Sequence, residues 1–322
     1  MRSEIVTVTG IPLVDIAQAY LKECSMAKIH TFKAKRNDLN KLFSFLSSIA
    51  DIETLTIQDM NVGNLSAFCE HVAKTDKAPA TASRRVASVR SFCNYISEFV
   101  PSFRNPASKL KGPKCNPGGF RGIDIDTASK IEEAAYRIGR NKFLRARNGM
   151  SVSIINHTGL RADEVLNLTE AQISEDGCWF SNVKCKADIV RNVYIPSHLR
   201  ELLADYLLIR REVLFGQFRI IDTRPYPLLV SLRDSFKDKP ESFKVSYETL
   251  HRTFQVACQI VHIKPISPHT LRHSFAHELM RSTKDVRLVA QALGHTDIKT
   301  TMRYTSSSEE ALAAAIEGVK KK

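Results

Sequence analysis

The chain has 322 residues, which is enough for one large domain or for two ordinary domains with a core each. Hydrophobic residues make up 43% and charged residues 25%, as in soluble globular proteins, and no apolar run is long enough to cross a bilayer. The formal net charge of +13 favours a polyanionic partner, and nucleic acid fits better than a membrane because the basic residues are spread over both halves.

The N-terminus and the cysteines indicate a cytoplasmic protein. The first residues include an early acid and no hydrophobic signal region, so a secretory signal is not expected. The seven cysteines, an odd number, are scattered without a CxxC pair. This distribution argues against a disulfide framework or a zinc ribbon and favours a reducing compartment.

Four amphipathic helices are predicted before residue 100. Apolar residues recur at helical spacing over four stretches: Pro12–Cys24, His30–Ile49, Asp59–Val72 and Ala80–Phe99. No alternating strand pattern accompanies them, so we expect a small helical bundle.

Basic residues cluster on two of these helices and in the segment that follows. The cluster consists of Lys33, Lys35 and Arg36 in the second helix, Arg84, Arg85 and Arg90 in the fourth, and Lys109, Lys111 and Lys114 beyond it. Any one of them is more simply interpreted as part of a solvated helix face. Together, in a chain of this charge, they favour contacts with a DNA backbone, which position a protein without reading sequence.

Prolines and glycines interrupt the helical pattern between residues 101 and 122. We therefore expect a helical DNA-binding unit over residues 1–112, a basic linker over 113–122 and a second unit over 123–322.

The second unit begins with two predicted helices, Asp126–Gly139 and Phe143–His157. Gly159 is expected to end the latter, which places Arg161 at the start of another helix. Glu164 follows three residues later and can hold the Arg161 guanidinium in place, although an ordinary surface ion pair has the same spacing.

A β-hairpin is predicted next, from two β-rich segments, Gly177–Val183 and Ile189–Ile195. The predicted turn contains Lys184, Lys186 and Asp188. Two further helices follow, His198–Phe215 and Tyr247–Val261, with an irregular span between them that the pattern does not resolve.

Residues 267–304 place polar groups at helix ends. Ser267 is predicted as an N-cap and Pro268 as the first helical residue, so His269 and Arg272 lie on the first turns, where a phosphate is favoured. Gly294 is expected to end the next helix, with His295 in the turn beyond it and Tyr304 on a further short helix.

These motifs together resemble the tyrosine recombinases, also called the phage integrase family. The resemblance rests on Thr158-Gly-Leu-Arg161-x-x-Glu164, His269-x-x-Arg272, Gly294-His295 and Tyr304, in that order and spacing. It implies a mainly α-helical fold, with a helical core-binding domain followed by a mostly helical catalytic domain that contains a small antiparallel hairpin.

The resemblance also implies roles for individual residues. Tyr304 would attack a scissile phosphodiester and form a 3′-phosphotyrosyl bond. Arg161 and Arg272 would clamp the non-bridging oxygens, since guanidinium is always charged and its fork fits phosphate. His269 would accept or relay the tyrosine proton and His295 would donate a hydrogen bond to phosphate.

Glu164 matches the family's acidic partner of the first arginine, in a supporting role. The family's general acid is a lysine on the hairpin, but here the usual Gly-Lys-Gly turn is replaced by Val183-Lys-Cys-Lys-Ala-Asp. Counting back from Pro196 selects Lys186 and counting forward from Gly177 selects Lys184; we favour Lys186. No metal, nucleotide or other cofactor is expected, because the covalent bond conserves the backbone energy.

The family's partners follow from the same resemblance. We expect the partner to be a double-stranded DNA site with inverted repeats, and we expect no membrane partner. A tetramer of the protein would exchange strands between two such sites, for integration, excision or resolution. The last predicted helix, Glu309–Val319, is expected to dock on a neighbouring subunit, although it could pack on its own domain. Because the core-binding helices begin near the N-terminus, the chain resembles the simple Cre and Xer types.

Three alternatives remain open from sequence. The chain could be a catalytically silent DNA-binding protein on the same fold, or a type IB topoisomerase that relaxes DNA alone. His269, His273 and His277 recur every four residues and could present a zinc face, but no HExxH motif is present.

Overall fold

The computed structural model describes residues 11–27, 29–113, 122–185, 189–232, 239–294 and 301. The chain divides into two compact units, Met1–Pro117 and Gly118–Lys322. The predicted linker at 113–122 lies outside the described residues except for its first and last positions, and the predicted last helix lies wholly outside them. The mainly α-helical fold class is confirmed, and no helix in the described part of the chain has the length and apolarity that a membrane span requires.

In its described residues, the first unit is a bundle of four α-helices, as predicted. Their bounds are α1 Leu13–Ala27, α2 Ile29–Leu46, α3 Val62–Thr75 and α4 Pro79–Phe99. Each buries the apolar stripe seen in the sequence, and their shared core includes Leu13, Leu42, Phe68, Val89 and Phe92.

Local signals fix where the helices of this bundle begin. The side chain of Asn61 accepts a hydrogen bond from the Asn64 N–H at 2.9 Å and so caps α3. Pro79 occupies the first position of α4, where its missing N–H costs no helical hydrogen bond.

The second unit contains seven helices and one hairpin in its described residues. Their bounds are α5 Ile125–Ala135, α6 Lys142–Thr158, α7 Ala162–Asn167, β1 Trp179–Lys184, β2 Val190–Tyr194, α8 Ser197–Phe218, α9 Tyr247–Ile260, α10 Pro268–Thr283 and α11 Val286–Leu293. The span between α8 and α9, which the sequence pattern did not resolve, contains a short 3₁₀ helix at Pro240–Phe243.

Helix α6 lies at the centre of this unit and packs against α5, α8, α9 and α10. Its residues from Arg147 to Ile155 are all buried, polar and apolar alike. Because α6 is held on several sides, the turn at its C-terminal end has a fixed position, and that turn leads to Arg161.

The hairpin pairs β1 with β2 in antiparallel register. Val183 lies opposite Arg191 and Lys184 opposite Val190, after a bulge between Phe180 and Val183. A bulge shifts the alternation of side chains along a strand. The faces of the hairpin therefore follow from this register and not from simple counting along the sequence.

Candidate active site

Glu164 is a buried carboxylate surrounded by three arginines. The Arg161 Nη1 atom donates to Oε1 of Glu164 at 2.7 Å, and the backbone N–H of Arg161 donates to Oε2 at 3.0 Å. The Nη2 atom of Arg191 lies 3.3 Å from Oε2, and the Nη1 atom of Arg272 lies 3.8 Å from it. Three guanidinium groups around one carboxylate leave a formal excess of positive charge, so this group of four residues is suited to an anion.

The surroundings of Glu164 keep it ionised. Burial by itself raises the pKa of this carboxyl group, but the charge of Arg191, the hydrogen bonds from Arg161 and the charge of Arg272 outweigh burial and lower the pKa below its usual value. The carboxylate therefore fixes the arginines in place at neutral pH.

Arg161 reaches Glu164 from a tight turn. Helix α6 ends at Gly159, whose φ of +63° lies in the left-handed region that favours glycine. A Cβ at this position would also come within 2.3 Å of the Phe275 ring. Arg161 then caps α7 with extended backbone, and its side chain stays 27% exposed. The guanidinium is thus held by Glu164 and still accessible from solvent.

Arg272 ties two helix ends together from a buried position. Ser267 caps α10 by accepting from the Thr270 N–H at 3.3 Å, which places Arg272 on the second turn. Its Nη1 atom donates to the Gly159 carbonyl at 2.5 Å and its Nη2 atom to the Leu293 carbonyl at 2.7 Å. Arg272 therefore fixes the turns that follow α6 and α11.

His269 lies on the first turn of α10, three residues before Arg272, which places the two on neighbouring positions of one helix face. It is exposed, and its ring centroid lies 4.9 Å from that of His273, with the rings nearly perpendicular. The helix thus offers an imidazole at its electropositive end, next to the buried arginine.

Arg191 is a member of the site that the sequence analysis missed. Its side chain is 11% exposed and lies on the same strand face as the buried Val193. Its Nη1 atom donates to Cys185 Sγ at 2.5 Å, in addition to the contact with Glu164. The sequence offered one signal for Arg191, its position on the inward face of a strand. That face could be identified only from the register of the hairpin, which a bulge shifts.

Lys184 is the last residue of β1, and its predicted placement in the turn is wrong. It is exposed, whereas the preceding Val183 is buried, so the two side chains lie on opposite faces of the hairpin. Lys186, His295 and Tyr304 lie outside the described residues. Their predicted roles remain predictions.

The basic residues of the first unit fall into two groups. Four have partners inside the bundle: Lys35 donates to Ser91 Oγ at 3.2 Å, Arg84 contacts Asp38, Arg85 lies 2.9 Å from Asp76, and Arg90 donates to the carbonyls of Ala107 and Leu110. The other four that the structure describes are exposed, namely Lys33, Arg36, Lys109 and Lys111. Lys114 lies outside the described residues. DNA contact by any of the nine stays a prediction, and the first four also hold the bundle together.

One group of side chains in the described part of the chain has the composition of a metal site. Ligand atoms of Glu132, His157 and His198 lie within 4.8 Å of one another. Glu132 already accepts from Ser153 at 2.6 Å and from Asn156 at 2.7 Å, and it lies 3.0 Å from His157. Burial raises the pKa of Glu132, but these partners, His157 foremost, lower it overall. The group is accounted for as a polar cluster that joins α5 to α6.

The chain matches two family models. The model described as the phage integrase family covers residues 126–311, and the model of the phage integrase N-terminal SAM-like domain covers residues 17–98. The first match alone spans more than half of the chain, and the two matches fall in the two compact units.

Two tyrosine recombinases are similar to this chain over most of its length. Tyrosine recombinase XerC of Thermodesulfovibrio yellowstonii is 26% identical over 279 residues, covering 86% of this chain and 85% of that protein. Tyrosine recombinase XerD of Lacticaseibacillus casei is 27% identical over 277 residues, covering 85% and 87%.

Solved structures share the fold. The XerH site-specific recombinase bound to palindromic difH substrate, in a post-cleavage complex, has a TM-score of 0.71 at 20% identity and covers 93% of this chain and 82% of that one. The Tn1549 transposon integrase in complex with transposon right end DNA has a TM-score of 0.70 at 11% identity, with 96% and 100% covered. The chain belongs to the phage integrase family of tyrosine recombinases, which are enzymes of site-specific DNA recombination.

Proposed function

We propose that this protein cuts and rejoins DNA at specific sites through a 3′-phosphotyrosyl intermediate, with Tyr304 as the nucleophile, and that it does so as a tetramer on two DNA sites. The observation that carries the proposal is the group formed by Glu164 and its three arginines. It combines an excess of positive charge, a fixed geometry and a partly exposed guanidinium at Arg161.

In the proposed mechanism Arg161 and Arg272 stabilise the phosphate as charge develops on its non-bridging oxygens. Guanidinium offers paired donors that match phosphate geometry and does not lose its proton at any working pH. Donors held in place before the reaction need no reorganisation during it, and such groups supply a large share of catalysis. Glu164 maintains this geometry.

The covalent step replaces the 5′-oxygen of DNA on phosphorus with the Tyr304 oxygen. The Tyr304 oxygen bonds to phosphorus and the bond from phosphorus to the 5′-oxygen breaks. A phenol has a pKa of about 10, so its proton is passed to His269, and the leaving oxygen takes a proton from Lys186, with Lys184 as the alternative. His295 donates a hydrogen bond to the phosphate. Rejoining reverses these steps with a 5′-hydroxyl of another strand.

The proposed partner is double-stranded DNA with inverted repeats. Relatives support this choice: the XerH recombinase was solved on difH substrate, and a lambda integrase dimer was solved on a COC′ core site at a TM-score of 0.67. The excess of basic residues suits a DNA backbone. We assign subunit association to the segment 309–319, by docking on a neighbouring catalytic unit.

The deciding experiment compares Tyr304→Phe with the wild type on DNA that flanks the coding region and carries short inverted repeats. We expect covalent protein–DNA adducts on denaturing gels for the wild type and none for Tyr304→Phe. Tyr247→Phe is the matched control, since Tyr247 is an exposed tyrosine at the start of α9, and it should form adducts normally. Adducts from Tyr304→Phe would refute the nucleophile. Site-independent plasmid relaxation by monomers would favour a topoisomerase.

A second experiment assigns the general acid. The test uses a substrate with sulfur in place of the bridging 5′-oxygen. Its 5′ leaving group departs as a thiolate without protonation, because a thiol is far more acidic than an alcohol. We expect Lys186→Ala to be slow on ordinary DNA and to recover on the sulfur substrate, while Lys184→Ala cleaves both normally. Recovery of Lys184→Ala instead would move the assignment to Lys184.

A further inference from the structure

Arg191 is the residue at which three separate segments of the site meet. Its guanidinium contacts Glu164 on α7, the thiol of Cys185 just after β1, and the turn at Gly294 that ends α11. These segments are far apart in sequence. Two of them lead directly to residues with proposed catalytic roles, the lysines of the hairpin and His295.

The three contacts are close. Nη2 lies 3.3 Å from Glu164 Oε2, and Nη1 donates to Cys185 Sγ at 2.5 Å. Gly294 has a φ of +62°, and a Cβ built there would lie 2.7 Å from Arg191 Nη1. Because Gly294 has no side chain, the turn can therefore pass this close to the Arg191 guanidinium.

The backbone of Arg191 is also part of the hairpin ladder. Arg191 pairs with Val183, and the next pair along the ladder is Val190 with Lys184. Beyond it, the Cys185 N–H donates to the Ile189 carbonyl at 2.7 Å. Because the backbone of Arg191 moves with the lysine-bearing end of the hairpin while its side chain is fixed to Glu164, this one residue connects the two parts of the site.

We propose that Arg191 is a positioning residue that holds the lysine hairpin against the Glu164 group, and so sets where the general acid lies relative to the scissile phosphate. This inference rests on the proposed function. It assigns Arg191 no contact with DNA and no proton transfer. Its action runs through the lysine.

A competing explanation is that Arg191 only neutralises Glu164. The two explanations differ for Arg191→Lys, which keeps the charge and loses the planar fork that bridges Glu164 and Cys185. Neutralisation alone predicts a nearly normal enzyme. Positioning predicts a misplaced general acid, and a displacement of about 1 Å can cost about 100-fold in rate.

The test measures adduct formation by Arg191→Lys on ordinary DNA and on the sulfur-leaving substrate. We expect a loss of about 100-fold on ordinary DNA and recovery toward the wild-type rate on the sulfur substrate, because a thiolate departs without the acid. Arg161→Lys serves as comparator: it should be slow on both substrates, since Arg161 acts on the non-bridging oxygens.

The matched control is Arg200→Lys. Arg200 donates to Cys178 Sγ at 3.1 Å, so this variant removes another arginine–thiol contact of the same unit without touching Glu164. It should cleave both substrates normally. Cys185→Ser keeps Arg191 and alters one of its contacts, and it should show a smaller loss with the same recovery. It gives the answer if Arg191→Lys does not fold.

Two results would overturn the inference. Normal cleavage of ordinary DNA by both Arg191→Lys and Cys185→Ser would show that positioning is unnecessary. A loss that is equal on both substrates, as for Arg161→Lys, would show that Arg191 acts on the phosphate and not through the acid. If neither Lys186→Ala nor Lys184→Ala recovers on the sulfur substrate, the proposed acid step itself is wrong. If one of these lysine variants recovers and Arg191→Lys does not, the acid step stands and only the positioning role of Arg191 is wrong.

Discussion

Two buried glutamates of the second unit, Glu164 and Glu170, both bind arginines, and the contrast between them separates a site from a structural element. Glu170 accepts from Arg210 Nη1 and from Thr223 Oγ1, each at 2.5 Å, and from Arg211 Nε at 3.0 Å. Arg210 is 0% exposed and also donates to the carbonyls of Pro227, Thr223 and Tyr226. Its donors are directed entirely at the protein.

The group around Glu164 is arranged differently. It has three arginines to one carboxylate, and one of them, Arg161, is partly exposed. Burial raises the pKa of both glutamates, and in both the hydrogen bonds and charges of their partners lower it overall. The chemistry of the two groups is thus alike. What differs is the balance of charge, since three arginines surround Glu164 and only Arg210 and Arg211 contact Glu170 among the described residues.

The largest expected effect is the loss of stability in Arg210→Met. This change leaves Glu170 buried without its main ion pair, and the free energy of unfolding of the second unit should fall by about 3–5 kcal/mol. Urea unfolding followed by the fluorescence of Trp179, the single tryptophan, monitors this unit alone. Arg211→Met is the control: its side chain is 54% exposed, so the loss should stay below about 1 kcal/mol. Equal losses of stability in the two variants would show that the buried Arg210 contributes no more to stability than the exposed Arg211.

Arg161→Met should show the reverse pattern. Cleavage should fall by about 10²–10³-fold, because a donor to the developing charge is removed. The unfolding free energy should change by less than about 1 kcal/mol, since Glu164 keeps Arg191 and Arg272 and the Arg161 side chain is partly exposed. Adduct rates and urea midpoints on the same preparation measure both quantities. A large fall in stability would make Arg161 a structural residue like Arg210.

Gly159→Ala tests the turn that delivers Arg161. Left-handed backbone costs a non-glycine residue about 1–2 kcal/mol, and the collision of the new Cβ with Phe275 adds about 1–3 kcal/mol. Gly177→Ala is the matched control, because its φ is +68° and a Cβ there meets nothing within 4 Å. It should show only the backbone cost. Urea unfolding of the two variants isolates the contact with Phe275, and equal losses would show that Phe275 moves aside.

The smallest effect concerns pH. The folded-state pKa of Glu170 is below its unfolded value of about 4.3, so its contribution to stability is complete above that value and is lost as pH falls through the folded pKa. Glu170→Gln should therefore flatten the dependence of the urea midpoint on pH below about pH 5. Glu201→Gln, at an exposed position of α8, should leave the slope unchanged.

The local parts of the site could be predicted from sequence. Gly159 and Ser267 are short-range signals, and the contact between Arg161 and Glu164 follows from their spacing on one helix turn. The four helices of the first unit followed from their apolar stripes for the same reason. Such features depend on a few neighbouring residues.

The long-range parts could not be predicted. The acceptors of Arg272 are backbone carbonyls 113 and 21 residues away, and backbone carries no sequence signal. The role of Arg191 depends on a strand register that a bulge shifts. Likewise, the partner of Arg84 is Asp38, 46 residues earlier, so the helix-face pattern showed a basic patch where the fold also has an ion pair.

The two carbonyls that hold Arg272 have a consequence for acid solutions. They lie at the C-terminal ends of α6 and α11, where aligned peptide dipoles leave about half a negative charge each. A dipole cannot be protonated. When Glu164 takes up a proton at low pH, Arg161 and Arg191 lose their ionised partner, but Arg272 keeps its electrostatic balance. The catalytic unit should therefore loosen from its exposed rim inward, with Arg272 the last of the three arginines to leave its place.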